Sequence, residues 1–253
     1  MTPRRLTTAA TTALLPALAL ALALAAAGCG DETGAGDDDS GVTVDGGAPI
    51  SDGASTGDGA TPQGDASTAL PGMRIGSFQL TYYWVTTEDE FTGVADTELY
   101  DPMCRSLATV PKAFSDSLRI EGTGRLADGR LLNVNGVCMC LNSPCYRVAD
   151  AAHPWGYGVQ NRALVPFRSI AVDRSVIPIG TPLYVAELDG KRMPGDAPWG
   201  NFTHDGCVLA VDVGGGITGM HIDFFSALKT YYRVLDPLLP ANITVHQGGA
   251  RCP

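Results

Sequence analysis

The stretch from Val208 to Phe225, VLAVDVGGGITGMHIDFF, restricts this chain more than any other. Val208 to Val211 is an apolar, partly β-branched run that suits a buried strand. Gly214, Gly215 and Gly216 follow, and glycine lets a backbone take left-handed angles or come close to a ligand. Ile222, Phe224 and Phe225 resume the apolar run around the carboxylate of Asp223. The order is strand, glycine-rich turn, strand. A carboxylate among large apolar neighbours loses water and its pKa rises. That keeps an acid protonated near neutral pH and able to donate. A lone strand-end Asp more often faces solvent. Here Asp212 and Asp223 bracket the turn and Asp173 lies upstream, and the three together favour chemistry.

The first residues read as an address. Arg4 and Arg5 give a positive start, Leu14 to Ala27 is almost wholly Ala and Leu, and Ala26-Ala27-Gly28-Cys29 follows. A Cys directly after the small residues resembles a bacterial lipoprotein signal. The resemblance implies a signal peptide over residues 1–28 and lipidation of Cys29. Gly30, rather than Asp, then favours the outer membrane over the inner one. The expectation is an exported outer-membrane lipoprotein facing the periplasm, held by acyl chains without a spanning helix.

Residues 29–69 are Gly, Asp, Ser, Thr, Ala and Pro with almost no large apolar group, so they read as a disordered acidic linker. Two of the 17 basic and nine of the 27 acidic residues precede Leu70. The remainder carries 15 and 18 and a net charge of -3, against -10 for the whole chain. The acidity therefore belongs largely to the linker, which self-repulsion would extend. No basic patch supports nucleic-acid binding.

Residues 70–253 suffice for one domain with a sizeable core. Beyond Cys29 this part has Cys104, Cys138, Cys140, Cys145, Cys207 and Cys252. An even count in an exported protein points to three disulfides, with fifteen possible pairings. A metal site at Cys138, Cys140 and Cys145 is the rival, but its spacing is unusual for zinc and no His is near. No metal and no cofactor is expected.

In chain order, Gly76 to Val85 alternates apolar and polar residues and should form the first strand. Its end, Tyr82-Tyr83-Trp84, offers rings that could stack on sugars or pack in the core. Residues 86–118 read as an irregular insertion. Leu118 to Val134 reads as a hairpin turning at Asp128-Gly129, with Gly122-Thr123-Gly124 as a bulge or close approach. The Cys-rich loop 138–145 follows, then a polar-aromatic loop, His153 to Gly158, that could border a cleft. His153 reads as a surface residue. Strands follow at Ser169 to Asp173, within Val176 to Ala186, and at Ile243 to His246. Ser226 could cap a short helix from Ala227 to Tyr232. There is no internal repeat, and the class is all-β, suited to a small barrel.

Three pieces together resemble one family: Ile170-Ala-Val-Asp173 with Val176-Ile-Pro-Ile-Gly-Thr181; Ala210-Val-Asp212-Val-Gly-Gly215; and Ile217 to Phe225. They look like the 3D domain, named for three aspartates and related to the catalytic barrel of membrane-bound lytic transglycosylase A. The resemblance implies a six-stranded double-psi β-barrel, here with a disulfide-rich insertion and one short helix. It implies cleavage of peptidoglycan glycan strands between MurNAc and GlcNAc, leaving 1,6-anhydro-MurNAc ends. Residue by residue, Asp223 takes the place of the proton donor, Asp212 that of the carboxylate supporting it, and Asp173 that of the first aspartate of the signature. Tyr83, Gly215 and Gly216 are the candidate substrate-binding residues. Gly216 stands where Ala is common, and Pro237 and Pro240 interrupt the approach to the last strand. The chain is expected to act as a monomer.

The residues suit that chemistry. A hydrolase places two carboxylates across the scissile bond to activate a water. In the lytic reaction the sugar's own 6-hydroxyl attacks, so one acid can protonate the leaving oxygen and then take the hydroxyl proton. A charged Asp212 nearby would raise the pKa of Asp223 and stabilise oxocarbenium character. The rivals are a non-catalytic, expansin-like glycan-binding barrel and a disulfide-rich structural module. A row of aromatic rings on an open face would favour the binder.

Overall fold

The structure, a computed structural model, describes residues 69–253. The signal read over residues 1–28, Cys29 and nearly all of the linker read over 29–69 lie outside the described residues. No helix among the described residues is long and apolar enough to cross a membrane.

The strands are β1 (Arg74–Tyr83), β2 (Thr86–Thr87), β3 (Ala95–Tyr100), β4 (Ser106–Pro111), β5 (Thr123–Arg125), β6 (Leu131–Val134), β7 (Tyr146–Val148), β8 (Ser169–Val172), β9 (Pro182–Val185), β10 (Cys207–Asp212), β11 (His221–Phe225) and β12 (Asn242–Gln247). The α-helices are α1 (Lys112–Glu121) and α2 (Lys229–Leu235). Six strands close into a barrel in the order β1, β11, β8, β10, β9, β12. The pairs β1–β11 and β8–β10 are parallel, and the other four are antiparallel.

Alternation sets the inside of the barrel. On β1, Phe78 and Leu80 are buried while Ser77 and Gln79 are exposed. On β8 all four residues are buried, as expected of a strand covered on both faces. Phe78, Ile170, Val172, Leu183, Phe224 and Val245 meet in the barrel core. Pro237 and Pro240 precede β12 and do not enter it, so the last strand forms and closes the barrel.

The region read as an irregular insertion, 86–118, is ordered and folds with the residues after it, so the inserted unit spans 86–148. Strands β2, β5, β6 and β7 form one sheet, β3 and β4 a hairpin, and α1 packs on them. Phe114 and Leu118, four residues apart on one face of α1, are both fully buried. With Leu99, Val110, Leu132 and Tyr146 they make a second core. Only these two α1 residues are buried, so the sequence shows little helical period. The helix ends where Gly122 turns left-handed (φ 77°) and returns its N–H to the Leu118 carbonyl at 2.9 Å. The expected hairpin therefore shrinks to β5 and β6, and the turn before Gly129 holds. Gly124 is a close approach and not a bulge: a Cβ there would lie 2.8 Å from Leu118 Cδ1. Among the described residues the fold is mostly β, with two short α-helices rather than the single one expected.

The second helix also starts later than read. Ser226 does not cap it: its Oγ donates to the Tyr83 carbonyl at 3.2 Å and fastens the end of β11 to the end of β1. Ala227 then takes a positive φ of 66°, and helical backbone begins only at Lys229. The six cysteines form three disulfides, Cys104–Cys140, Cys138–Cys145 and Cys207–Cys252. The first two staple the insertion, and the third ties the start of β10 to the C-terminal segment.

Candidate active site

A cleft of about 290 Å³ opens between the barrel and the insertion. The barrel contributes Tyr83, Asp212, Gly215 and Asp223; the insertion contributes Arg119, Glu121 and Asn133; Tyr157 comes from the following loop. Beneath it a third apolar cluster, including Tyr83, Leu131, Leu164, Val211 and Phe225, joins the two parts.

The C-terminal end of β1 meets each of the three cleft acids. Thr81 is in register with Asp223 across the parallel β1–β11 pair and donates its hydroxyl to Asp223 Oδ1 at 2.7 Å. The same hydroxyl oxygen lies 2.8 Å from His221 Nε2, which donates to it when Thr81 donates to Asp223. The Tyr83 hydroxyl is buried beside Asp212 and makes no well-formed hydrogen bond. The backbone N–H of Trp84 donates to Glu121 Oε2 at 3.1 Å. Asp212 itself accepts from the Val213 N–H at 2.9 Å through Oδ1. Each acid thus has one oxygen fixed by the protein.

Removal from water dominates the acidity of all three. Burial pushes the Asp212 carboxyl up to about 7; the Val213 N–H and Tyr83 work against this, and the charge of Asp223 adds to it. Burial also raises Asp223, opposed by the Thr81 bond and by His221. Glu121 is pushed up to about 7 by burial, against the Trp84 bond, with Asp223 and Glu90 adding and Lys229 opposing. The Tyr83 phenol is raised well above its ordinary value, by burial first and then by Asp212 and Asp223, and stays neutral. The cleft therefore holds exchangeable protons near neutral pH, as general acid–base work requires.

Asp173 does not line the cleft. Its Oδ1 accepts from the Ser175 N–H (2.9 Å) and hydroxyl (2.6 Å), and its Oδ2 from the Gly219 N–H (2.7 Å). These bonds hold its carboxyl below the usual range. It pins the loop between β10 and β11 and does not join Asp212 and Asp223. Gly216 is likewise outside the cleft lining, whereas Gly215 is in it. Of the two roles expected of Gly214, Gly215 and Gly216, left-handed angles are not used; the positive φ of this turn, 63°, is at Gly219. At Gly215 a Cβ would meet nothing within 4 Å, leaving its backbone open on the cleft side.

The aromatic run divides. Tyr83 faces the cleft, Tyr82 packs on Phe224 and Tyr232, and Trp84 stacks on Tyr232 with centroids 5.1 Å apart. His153 sits against Asp150 (2.6 Å) and the Asn161 carbonyl (3.1 Å), apart from the acids. Among the described residues, the set close enough to share an ion is Cys138, Cys140 and Cys145, and disulfides occupy those sulfurs.

Sequence reasoning missed Glu121. It is the last residue of α1, and an anion at a helix C-terminus opposes the macrodipole. That misfit marks a residue placed for another purpose, but only once the helix is recognised. Asn133 secures this end: its Nδ2 donates to the Gly122 and Tyr157 carbonyls (3.3 and 3.1 Å), and its Oδ1 accepts from the Tyr157 N–H at 2.9 Å.

Among curated proteins nothing matches. Several solved structures do. E. coli MltA with bound chitohexaose is 14% identical, with a TM-score of 0.46 over 68% of this chain and 72% of that one. A membrane-bound lytic murein transglycosylase from Agrobacterium tumefaciens is 13% identical, with a TM-score of 0.41 over 69% and 75%. The lytic transglycosylase LtgG of Burkholderia pseudomallei is 18% identical, with a TM-score of 0.38 over 68% and 73%. Residues 168–232, which hold Asp173, Asp212 and Asp223, match the 3D domain model.

Proposed function

We propose that this protein cleaves peptidoglycan glycan strands between MurNAc and GlcNAc by lytic transglycosylation, leaving 1,6-anhydro-MurNAc ends. The observation that carries the reading is the convergence of Asp212 and Asp223 in one open cleft, both raised by burial, in a segment that matches the 3D domain model. Thr81 holds Asp223 Oδ1 as an acceptor, so a proton on Asp223 resides on Oδ2. Asp223 gives that proton to the leaving GlcNAc oxygen as the glycosidic bond breaks. Asp212, when ionised, faces the positive charge that develops on the sugar. The 6-hydroxyl oxygen bonds to C1 and loses its proton; in the minimal scheme Asp223 takes it back. Tyr83 and the open backbone at Gly215 border the sugar. Asp173 acts through the loop it pins, as a positioning residue.

Several finer readings complete the proposal. The barrel is of the double-psi type, supported by two parallel pairs flanking the antiparallel β11–β8 pair. The chain is a monomer tethered through Cys29 to the outer membrane, facing the periplasm. The binding-barrel alternative loses support because Tyr82 and Trp84 pack away from the cleft instead of continuing a row of rings with Tyr83.

The test is digestion of purified peptidoglycan sacculi, with products read by mass spectrometry. Anhydro-muropeptides from the wild type, reduced at least about 10³-fold by Asp223→Asn, are expected. Retention of both proteins on sacculi without products would leave the binding barrel instead.

A further inference from the structure

We propose that Glu121, supplied by the insertion, is the base that takes the proton of the substrate's 6-hydroxyl while Asp223 serves as the acid. The inference rests on the lytic reading above and replaces its minimal scheme of one carboxylate doing both jobs.

Stereochemistry sets the first requirement. The 1,6-anhydro bridge forms on the face of the ring from which the β-linked oxygen departs. An acid and a separate base must therefore share one face, in contrast to the opposed carboxylates of an inverting hydrolase. Glu121 and Asp223 line the same cleft, and Asp223 lies close enough for its charge to raise the Glu121 carboxyl. They come from different parts of the molecule, the end of α1 and the middle of β11.

The second requirement is a fixed side chain with a free oxygen. The Trp84 N–H holds Oε2, which leaves Oε1 without a protein hydrogen bond. Asn133 holds the next carbonyl, at Gly122, so the end of the helix is anchored as well. Tyr83 is only 7% exposed and lines the same cleft, and its hydroxyl, beside Asp212, makes no well-formed hydrogen bond. A sugar hydroxyl placed there would satisfy it.

The third requirement is a group that ionises in the working range. The charges facing Glu121 are Asp223 on β11, Lys229 on α2, and Glu90 before β3. Burial and an ionised Asp223 push its carboxyl up to about 7; with the proton on Asp223 that repulsion is gone and Glu121 ionises more readily, as a base paired with that acid must. The balance is complete. The C1–O4 bond breaks and O4 takes the Asp223 proton; the C1–O6 bond forms and the O6 proton passes to Glu121. Proton exchange with water resets the pair.

Glu121→Gln separates the roles, because the amide oxygen can still accept from the Trp84 N–H. The probe is a GlcNAc-MurNAc disaccharide β-linked to 4-methylumbelliferone, whose leaving group needs little acid help. On this compound Asp223→Asn should lose far less than the roughly 10³-fold it loses on sacculi, and Glu121→Gln should lose about 10²- to 10³-fold in kcat. The wild-type rate should rise with pH through about 7 and level off, and the Gln variant should lose that rise. On sacculi both variants should fail. A Glu121→Gln enzyme with wild-type rate and pH profile on both substrates would overturn the proposal while leaving the lytic reading intact. A wild type that makes no anhydro product from either would instead remove the lytic reading itself.

Discussion

The barrel and the insertion solve the same problem by different means. The barrel buries Phe78, Ile170, Leu183 and Phe224 through strand alternation closed on itself, without a free edge. The insertion is too small for that. It builds a separate core on Phe114 and Leu118 of a single helix, and adds two disulfides, Cys104–Cys140 and Cys138–Cys145. Each contributes acids to one cleft: Asp212 and Asp223 from strands, Glu121 from a helix end. The lesson is that the cleft belongs to neither part alone. A barrel without its insertion would keep the three aspartates and lose one wall of the cleft.

That contrast can be broken at the two cores. Phe114→Ala should cost about 3–5 kcal/mol, the usual range for a buried Phe. Its effect should fall on the insertion, with activity lost because Glu121 is carried two turns along the same helix. Phe78→Ala should cost a similar amount and unfold the barrel instead. Hydrogen exchange read by segment distinguishes the two. Equal loss of protection throughout both variants would mean one cooperative unit.

The staples give the next contrast. By loop-closure entropy, the 45-residue separation of Cys207–Cys252 corresponds to about 4 kcal/mol, and the 7-residue separation of Cys138–Cys145 to about 2.5. Paired Cys→Ser variants should therefore lower the Tm more at the barrel staple than at the insertion staple. The reverse order would show that the insertion sets the stability of the domain.

The cleft acids make stability depend on pH. The folded pKa of Asp212, about 7, lies above the ordinary carboxylate value, so folding favours its neutral form. That contribution is present below about pH 4 and is lost as pH rises through 7. Asp212→Asn should thus gain stability relative to wild type between pH 5 and 8, by about 4 kcal/mol at most, in denaturant titrations. Asp173 has the opposite sign. Its depressed pKa contributes above the ordinary carboxylate range and is lost as pH falls through the folded value. Asp173→Asn should give the smallest effect: a slower reaction from a looser Gly219 loop, with the Tm nearly unchanged.

Much of the barrel was legible because its strands are apolar runs and its acids lie in a compact pattern. Asp212 and Asp223, eleven residues apart, announce each other; Asp173 shares the pattern, but its bonds to Ser175 and Gly219 depend on a loop that spacing does not describe. The insertion was opaque for physical reasons. Only Phe114 and Leu118 of α1 are buried, Ile120 is exposed, and Pro111 opens the helix without a side-chain cap. Glu121 stands about ninety residues before Asp212, so its place in the cleft is a product of tertiary folding. The disulfide count was readable and the pairing was not, since all six cysteines belong to loops or strand ends.

The most direct test of the central claim is to digest sacculi in water enriched in the heavy oxygen isotope. The 6-hydroxyl is the nucleophile in this account, so the new ends should be anhydro and carry no solvent oxygen. New reducing ends that carry the heavy isotope would contradict it, because they would require a water held in the cleft as the attacking group.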